Sequence, residues 1–67
     1  MIRPVKREVI DFEGDTYIVD LWEVDGKYNA HAQQIYVDEY RVGHAESLPT
    51  KSIAEFTVIK AIKAKYK

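Results

Sequence analysis

The fold of this chain is decided by residues 35–64, which read IYVDEYRVGHAESLPTKSIAEFTVIKAIKA. The segment opens with an apolar run, Ile35 to Val37, and the polar residues 38–40 then turn the chain into a second run, residues 41–46. Leu48-Pro49 interrupts that run, because proline cannot donate to a strand ladder, and an amphipathic stretch follows. We therefore predict strand, tight turn, strand and helix in the second half of the chain.

The predicted helix has a strong start signal. Ser52 with Glu55 three residues later has the pattern of a capping box, and Thr50 is a second candidate for the N-cap. Helical spacing over about fourteen positions gives one apolar stripe that we expect to face the sheet: Ala54, Val58, Ala61 and Ile62. Two apolar residues lie off the centre of this stripe, Phe56 and Ile59. A strand over residues 55–62 therefore stays open as an alternative.

Two turn signals divide the first half of the chain. Glu13-Gly14-Asp15 separates residues 5–12 from residues 16–24, and Asp25-Gly26 separates the latter from residues 27–37. Asp-Gly between alternating runs predicts a two-residue hairpin, because both central residues of a type I′ turn need positive φ. Since 67 residues have room for one core, we predict a single small domain over residues 1–67. Its class is α+β, an antiparallel meander sheet of three to four strands with one C-terminal helix packed on one face.

Cross-strand parity through these hairpins sorts the side chains of the sheet into two faces. The face expected to meet the helix collects Ile10, Phe12, Tyr17, Val19, Leu21, Ala30, Ala32, Tyr36, Gly43 and Ala45. The opposite face collects Val5, Arg7, Val9, Asp11, Ile18, Asp20, Trp22, Val24, His31, Gln33, Ile35, Val37, Val42, His44 and Glu46.

One helix cannot cover both faces of a sheet, so the second face is predicted to meet a partner. The residues expected to form this interaction face are Ile18, Trp22, Ile35 and Val42. A homodimer packed sheet against sheet is the simplest arrangement, and another protein partner would serve equally. The alternatives are coverage by the N-terminal segment, or a three-residue turn that reverses the faces of one strand.

The same parity brings two histidines and two carboxylates together. Asp20 lies opposite His31, with His44 and Glu46 on the next strand. Such groups bind divalent metals and catalyse proton transfer, but their spacing here matches no short ligand motif. Histidine and carboxylate also pair across strands for electrostatic reasons alone. We therefore predict no catalytic residue, no metal site and no cofactor.

Composition favours a folded binding protein over an enzyme. With 46% hydrophobic and 31% charged residues, the chain is too apolar to be disordered. It has no cysteine and no glycine-rich phosphate loop, and it is too small to enclose a deep substrate pocket. Because it also lacks a ~20-residue apolar run and an apolar signal-peptide core, we expect a cytoplasmic protein that does not enter a membrane.

Charge is distributed unevenly, although the net charge is only −1. All eleven acidic residues lie between residues 8 and 55, whereas most cations precede or follow that stretch. If the first strand and the last helix lie close together, these cations form a patch suited to phosphates. The candidate nucleic-acid contacts are Arg3, Lys6, Arg7, Lys51, Lys60 and Lys63. The alternative is that the C-terminal lysines only solvate the helix and complement its dipole.

Residues 35–64 resemble the C-terminal half of double-stranded-RNA-binding domains. The resemblance rests on Ile35-Tyr36-Val37-Asp38, Val42-Gly43, Thr50 to Glu55 and Ala61-Ile62. In that family, lysines at the start of the last helix contact phosphates, and Lys51 stands at the matching position here. The resemblance implies a strand-turn-strand-helix unit with a phosphate contact at Lys51. The first helix of the family has no counterpart, and an additional strand takes its place.

Two further resemblances concern architecture. A small sheet with a C-terminal helix is similar to the arm-site DNA-binding domains of tyrosine recombinases, although this sheet carries Asp11, Asp20, Asp25 and Glu46. Residues 25–28, Asp-Gly-Lys-Tyr, and the helix resemble the N-terminal module of HicB-like antitoxins.

Together these observations predict a small non-enzymatic binding module that self-associates, with a modest nucleic-acid contact through its basic termini and helix start. The alternative is a protein-interaction or regulatory module, HicB-like or an acidic partner-binding protein, that does not bind nucleic acid.

Overall fold

A four-stranded sheet and one helix make up the computed structural model, which describes residues 4–66. In chain order the elements are β1 (Lys6–Phe12), β2 (Asp15–Val24), β3 (Lys27–Ile35), β4 (Arg41–Leu48) and α1 (Lys51–Lys65). Each strand pairs antiparallel with the next one, in the order β1-β2-β3-β4, and α1 packs on one side of the sheet. The predicted α+β meander is confirmed with four strands, and the alternative strand over residues 55–62 is wrong.

Two-residue turns join β1 to β2 and β2 to β3. Glu13 and Gly14 have φ angles of 52° and 84°, and Asp25 and Gly26 have φ angles of 51° and 77°. A type I′ turn needs positive φ at both positions, which glycine adopts without a Cβ clash. The hairpin at residues 25–26 is as predicted. The first turn is one residue shorter than predicted, because Asp15 already belongs to β2.

The core lies between α1 and the helix-facing side of β2 and β3. Its buried members alternate along the strands and recur at helical spacing in α1: Tyr17, Val19, Leu21, Ala30, Ala32, Ala54, Val58, Ile59 and Ile62. Three more predicted core residues, Ile10, Phe12 and Ala45, pack against this cluster. The prediction that Ile59 lies off the buried stripe is wrong. Ile59 is buried and Ala61 only half-buried, which removes more apolar surface from water.

Small residues on the sheet allow α1 to approach closely. Gly43 on β4 lies beneath Ile62, and a Cβ atom at position 43 would stand 2.8 Å from Ile62 Cγ1. Ala32 on β3 pairs with Gly43, and Ala30 pairs with Ala45. The helix thus fills the trough of small residues that the sequence predicts.

The predicted core position of Tyr36 is wrong. β3 ends at Ile35, and Tyr36 has a positive φ of 63° and a side chain that is 88% exposed. Positive φ takes the chain out of the pleat, so the alternation of faces does not continue past residue 35. Val37, predicted for the opposite face, also lies beyond the strand. The last helix-facing place on β3 belongs to Gln34, which is 5% exposed.

A bulge in β4 carries that strand beyond its predicted end at Glu46. Between Ala45 and Leu48, β4 has two residues where β3 has only Asn29, and Ser47 has a φ of 60°. The backbone amide of Ser47 donates a hydrogen bond to the side-chain oxygen of Asn29 at 2.9 Å. The extra residue returns Leu48 to the helix side of the sheet, where it packs against the core.

Thr50 is the N-cap of α1. Its hydroxyl oxygen accepts a hydrogen bond from the Ile53 amide at 3.1 Å, and its own backbone is extended. The predicted capping box at Ser52 is wrong, because Ser52 lies within the first turn and an N-cap needs non-helical backbone.

Candidate functional site

Within residues 4–66, no other element covers the side of the sheet that faces away from α1. We call this side the open face. Its residues follow from the strand register: Arg7, Val9, Asp11, Thr16, Ile18, Asp20, Trp22, Val24, Lys27, Asn29, His31, Gln33, Ile35, Val42 and His44.

Residues of neighbouring strands line up in rows across the open face. One row consists of Val9, Ile18, Gln33 and Val42. The adjacent row consists of Arg7, Asp20, His31 and His44. Trp22 stands beyond this second row, opposite Asn29 on β3. The predicted pairing of Asp20 with His31 is therefore correct, and an apolar row lies beside an ionic one.

Apolar side chains on the open face retain contact with solvent. The four predicted interaction residues lie on this face and are all half-buried: Ile18, Trp22, Ile35 and Val42. Val9 is more exposed, at 64%, because β1 is an edge strand with a neighbour on one side only. Sequence parity places Val9 on this face, but only its edge position shows that it is the most accessible member of its row.

An ion pair neutralises charge near the centre of the open face. Arg7 Nε and Nη2 donate hydrogen bonds to the two carboxylate oxygens of Asp20 at 2.6 and 2.9 Å. These bonds hold the pKa of the Asp20 carboxyl below its usual value, while burial acts in the opposite direction and His31 adds to the lowering. Asp20 is therefore ionised and paired at neutral pH, although it is only 9% exposed.

Because Asp20 is bonded to Arg7, both of its carboxylate oxygens already have a cationic partner. Among residues 4–66 no three His, Asp or Glu side chains form a group that would hold a metal ion. His31 and His44 are direct cross-strand neighbours beside this ion pair. The row is thus a line of polar side chains on a surface that otherwise has apolar character.

The candidate nucleic-acid contacts on β1 lie on different surfaces. Arg3 falls outside the described residues. Arg7 lies on the open face and is bonded to Asp20. Lys6 lies on the other side of β1, with its ammonium group 3.5 Å from the Glu8 carboxylate. The first strand therefore does not present these cations together.

The candidates on α1 are also separated from one another. Lys63 contacts the Glu13 carboxylate at 3.0 Å, which raises the pKa of its ammonium group. Lys51 and Lys60 are exposed and form no ion pair among the described residues. Nine positions at about 100° per residue place them on opposite sides of the helix. The structure thus distributes the cations rather than gathering them into one patch.

A groove lies on the helix side of the sheet, between α1 and the turn that joins β1 to β2. Its volume is about 670 Å³. Tyr17 and Gln34, which are cross-strand partners, belong to its lining. Phe12 and Phe56 form part of its wall and contact each other edge to face, with ring centroids 5.5 Å apart. These residues are far apart in sequence and meet only when α1 docks, so no local pattern predicts the groove.

Burial raises the pKa of the Tyr17 hydroxyl, and the nearby Asp15 carboxylate adds to this effect. The hydroxyl is therefore protonated at neutral pH and able to donate a hydrogen bond. Two of the predicted candidate cations, Lys60 and Lys63, line the same groove.

No helix among residues 4–66 is both long enough and apolar enough to span a bilayer. No family model matches the chain, and no curated protein or solved structure shows significant similarity to it.

Proposed function

We propose that this chain is a small non-enzymatic binding module that self-associates by packing the open faces of two copies against each other. The observation that carries the proposal is the uneven coverage of the sheet. α1 buries one face, whereas the other face keeps Val9, Ile18, Trp22 and Val42 in contact with solvent. A sheet with apolar residues on both faces gains stability when each face is covered.

A second copy suits this face in shape. Sheets pack about 10 Å apart when their side chains interdigitate, which favours a broad and flat partner. Four strands of 7, 10, 9 and 8 residues, spaced by about 4.8 Å, present an area of roughly 540 Å² per copy. Two such areas lie between the size of most crystal contacts and that of standard interfaces. We expect a reversible dimer in the micromolar range rather than a permanent one.

A second copy also suits this face in charge. A two-fold axis parallel to the strands places each row over the same row of the other copy in reverse order. Val9 of one copy then meets Val42 of the other, and Asp20 meets His31. No unpaired like charges face each other, because Arg7 already neutralises Asp20 within each copy. A partner of strong single-sign charge would gain nothing from such a neutral surface.

Sedimentation velocity of the full chain over a range of concentrations tests the proposal. We expect the wild-type chain to dimerise and Trp22→Glu to be monomeric, because a carboxylate in the packed face has no partner. Val9→Glu should have the same effect without risk to folding, since Val9 is 64% exposed in the monomer. Ile53→Glu is the matched control, because Ile53 is 46% exposed on α1 and away from the open face.

Two results would contradict self-association. One is a wild-type chain that stays monomeric at ~1 mM, well above the micromolar range expected for such an interface. The other is a dimer that Ile53→Glu weakens as much as Val9→Glu does, which would place the interface on the helix.

A modest nucleic-acid contact is the second candidate function, and Lys51 supports it. Lys51 is exposed at the start of α1, where backbone amides and the helix dipole favour an anion, and no carboxylate among the described residues pairs with it. With two phosphate contacts, affinity for duplex RNA or DNA should fall about tenfold between ~50 and ~200 mM salt. Lys51→Met should lower that salt dependence by one contact. Absence of binding at the lower salt concentration would exclude this function.

A further inference from the structure

The groove beside α1 has a polar floor whose hydrogen-bonding groups lack partners. Tyr17 is 0% exposed, and its hydroxyl has no hydrogen-bond partner among the described residues. Gln34 is 5% exposed, and none of the side-chain hydrogen bonds within residues 4–66 involves it. A buried hydroxyl or amide without a partner destabilises a fold, and groups of this kind are usually satisfied by protein, water or ligand. The Tyr17 hydroxyl is a buried group of this kind, and the Gln34 amide beside it on the neighbouring strand makes no side-chain hydrogen bond, so the pair indicates a polar ligand at this position.

The walls of the groove are aromatic. Phe12 and Phe56 stand on one side, and Tyr66 lines the groove near the end of the helix. Each ring has a cation near its face: Lys63 over Phe12, Lys60 over Phe56 and Arg41 over Tyr66, at 5.8, 5.1 and 5.7 Å from the ring centroids. Aromatic walls of this kind bind planar rings by stacking and edge contacts.

The cations along the groove differ in their availability. Two of the cations already have carboxylate partners. Lys63 contacts Glu13 at 3.0 Å, and Arg41 Nε donates a hydrogen bond to Glu39 at 2.9 Å. Lys60 has no carboxylate partner among the described residues, so its ammonium group can accept an anion without breaking an ion pair. Glu13 and Asp15 also line the groove, and the Lys63 ammonium group lies 3.0 and 3.7 Å from their carboxylates. The positive charge that stays available is therefore that of Lys60, beside aromatic walls and a hydrogen-bonding floor.

We propose that this groove binds a nucleoside monophosphate. The base lies against the aromatic side chains, the Gln34 amide pairs with the edge of the base, and Lys60 binds the phosphate. A glutamine amide offers a donor and an acceptor together, the combination that recognises adenine through two hydrogen bonds. The Tyr17 hydroxyl adds a further donor at the floor. The volume of about 670 Å³ falls within the usual range for small-molecule sites.

Nucleotide binding in the groove does not depend on dimerisation. The groove lies on the helix side of the sheet, whereas the proposed dimer uses the open face. Monomeric Val9→Glu should therefore bind the nucleotide as well as the wild-type chain does. A free nucleotide and the terminal nucleotide of a single strand carry the same chemistry, so both are used as probes.

Calorimetric titration of the full chain with AMP, to ~5 mM, is the first test. We expect AMP to bind with a Kd below ~1 mM. If the natural ligand is the end of a strand, a 5′-phosphorylated oligoadenylate should bind at least as tightly as AMP. Lys60→Met and Gln34→Leu should each weaken AMP binding about tenfold, the effect of losing one charge-assisted or buried hydrogen bond. Lys27→Met is the matched control, since it removes an exposed lysine at the start of β3, outside the groove, and it should leave the Kd unchanged.

Tyr17→Phe separates binding from folding. Removal of a hydroxyl that has no partner should leave the unfolding temperature unchanged or higher, while AMP affinity falls about tenfold. A purely structural role for Tyr17 would move the unfolding temperature and leave the affinity of the folded protein as it was.

Four results would overturn the proposal. The first is the absence of binding heat with AMP or the oligoadenylate up to ~5 mM, because a specific site of this size should already bind its ligand at that concentration. The second is inorganic phosphate that binds as tightly as AMP, and the third is benzoate that binds as tightly as AMP. Either result would show that the base contributes nothing to the affinity. The fourth is an equal loss of affinity in Lys27→Met and Lys60→Met.

Discussion

At the scale of single residues, Gly43 sets how closely the helix approaches the sheet. A Cβ atom at this position would stand 2.8 Å from Ile62 Cγ1, closer than real side-chain contacts allow. Cγ1 is bonded directly to Cβ and moves only by rotation about χ1, which is strongly restricted for a β-branched residue in a helix. We expect Gly43→Ala to lower the free energy of unfolding by about 1–3 kcal/mol, the usual effect of overpacking. Urea denaturation followed by Trp22 fluorescence measures it.

A double-mutant cycle identifies the cause of this loss. Ile62→Ala removes Cγ1 and itself lowers the free energy of unfolding by about 2–5 kcal/mol. In that background, adding Gly43→Ala should lower the free energy of unfolding only slightly further. If the two substitutions are additive, the contact between residues 43 and 62 is not what limits position 43.

The ion pair between Arg7 and Asp20 predicts a particular pH dependence of stability. The pKa of the Asp20 carboxyl is lowered in the folded state by the hydrogen bonds from Arg7. A lowered pKa stabilises the fold above the ordinary aspartate value, and this contribution is lost as the pH falls through the folded pKa. Asp20→Asn should therefore lower the unfolding temperature at pH 7, and the difference from wild type should shrink below about pH 3.

Asp11→Asn is the control for this measurement. Asp11 lies on the same face but is exposed, and it accepts a hydrogen bond from the Thr16 hydroxyl at 2.8 Å, which an amide oxygen can also accept. A pH dependence in Asp11→Asn equal to that of Asp20→Asn would show that general surface charge, not the Arg7–Asp20 pair, is responsible.

The sequence predicts the position of a residue well where strand alternation and turn residues determine the face on which it lies. Gly43 and Ala32 follow from strand alternation, which is a rigid geometric rule. Tyr36 and Gln34 were not predictable in this way, because the positive φ of Tyr36 ends the alternation and tyrosine gives no signal for it.

At the scale of whole elements, the start of α1 depends on one hydroxyl. Thr50 satisfies the Ile53 amide at 3.1 Å, one of the donors that the first turn leaves without a helical partner. We expect Thr50→Ala to lower the free energy of unfolding by about 1 kcal/mol. Ser52→Ala should change it by less than about 0.5 kcal/mol, because Ser52 is exposed within the first turn. The reverse order in thermal denaturation would place the cap at Ser52.

The two candidate caps show why element boundaries are harder to predict than elements. Thr50 and Ser52 both precede the apolar stripe and both carry a suitable hydroxyl, so the local pattern permits either. The structure has the cap at Thr50, two residues after Leu48, which the bulge at Ser47 returns to the core. Ser47 has a positive φ of 60° although it is not a glycine, so the sequence contains no glycine that would predict the bulge.

At the scale of the whole molecule, the dominant feature is the mismatch between one helix and a two-faced sheet. The two faces were separable from sequence because turn length fixes register, and Asp20 lies opposite His31 as that register predicts. What covers the open face was not predictable, since that depends on a surface outside the folded chain. The groove was not predictable either, because it forms only when Phe56 is brought against Phe12.

Self-association through the open face should make stability depend on protein concentration. A partner that binds only the folded state shifts unfolding by mass action, so a dimer becomes more resistant to heat as it becomes more populated. For a domain of this size, raising the concentration a hundredfold through the micromolar range should raise the unfolding temperature by about 5 °C.

Val9→Glu should remove that concentration dependence while leaving the unfolding temperature of the dilute protein near its wild-type value, because Val9 is 64% exposed in the monomer. Ile53→Glu should keep the full dependence, since its position lies on α1. Scanning calorimetry of the three proteins at matched concentrations distinguishes the cases. A constant unfolding temperature in the wild-type chain would mean that the open face functions without a second copy, and its rows of apolar and ionic residues would then need a partner of different chemistry.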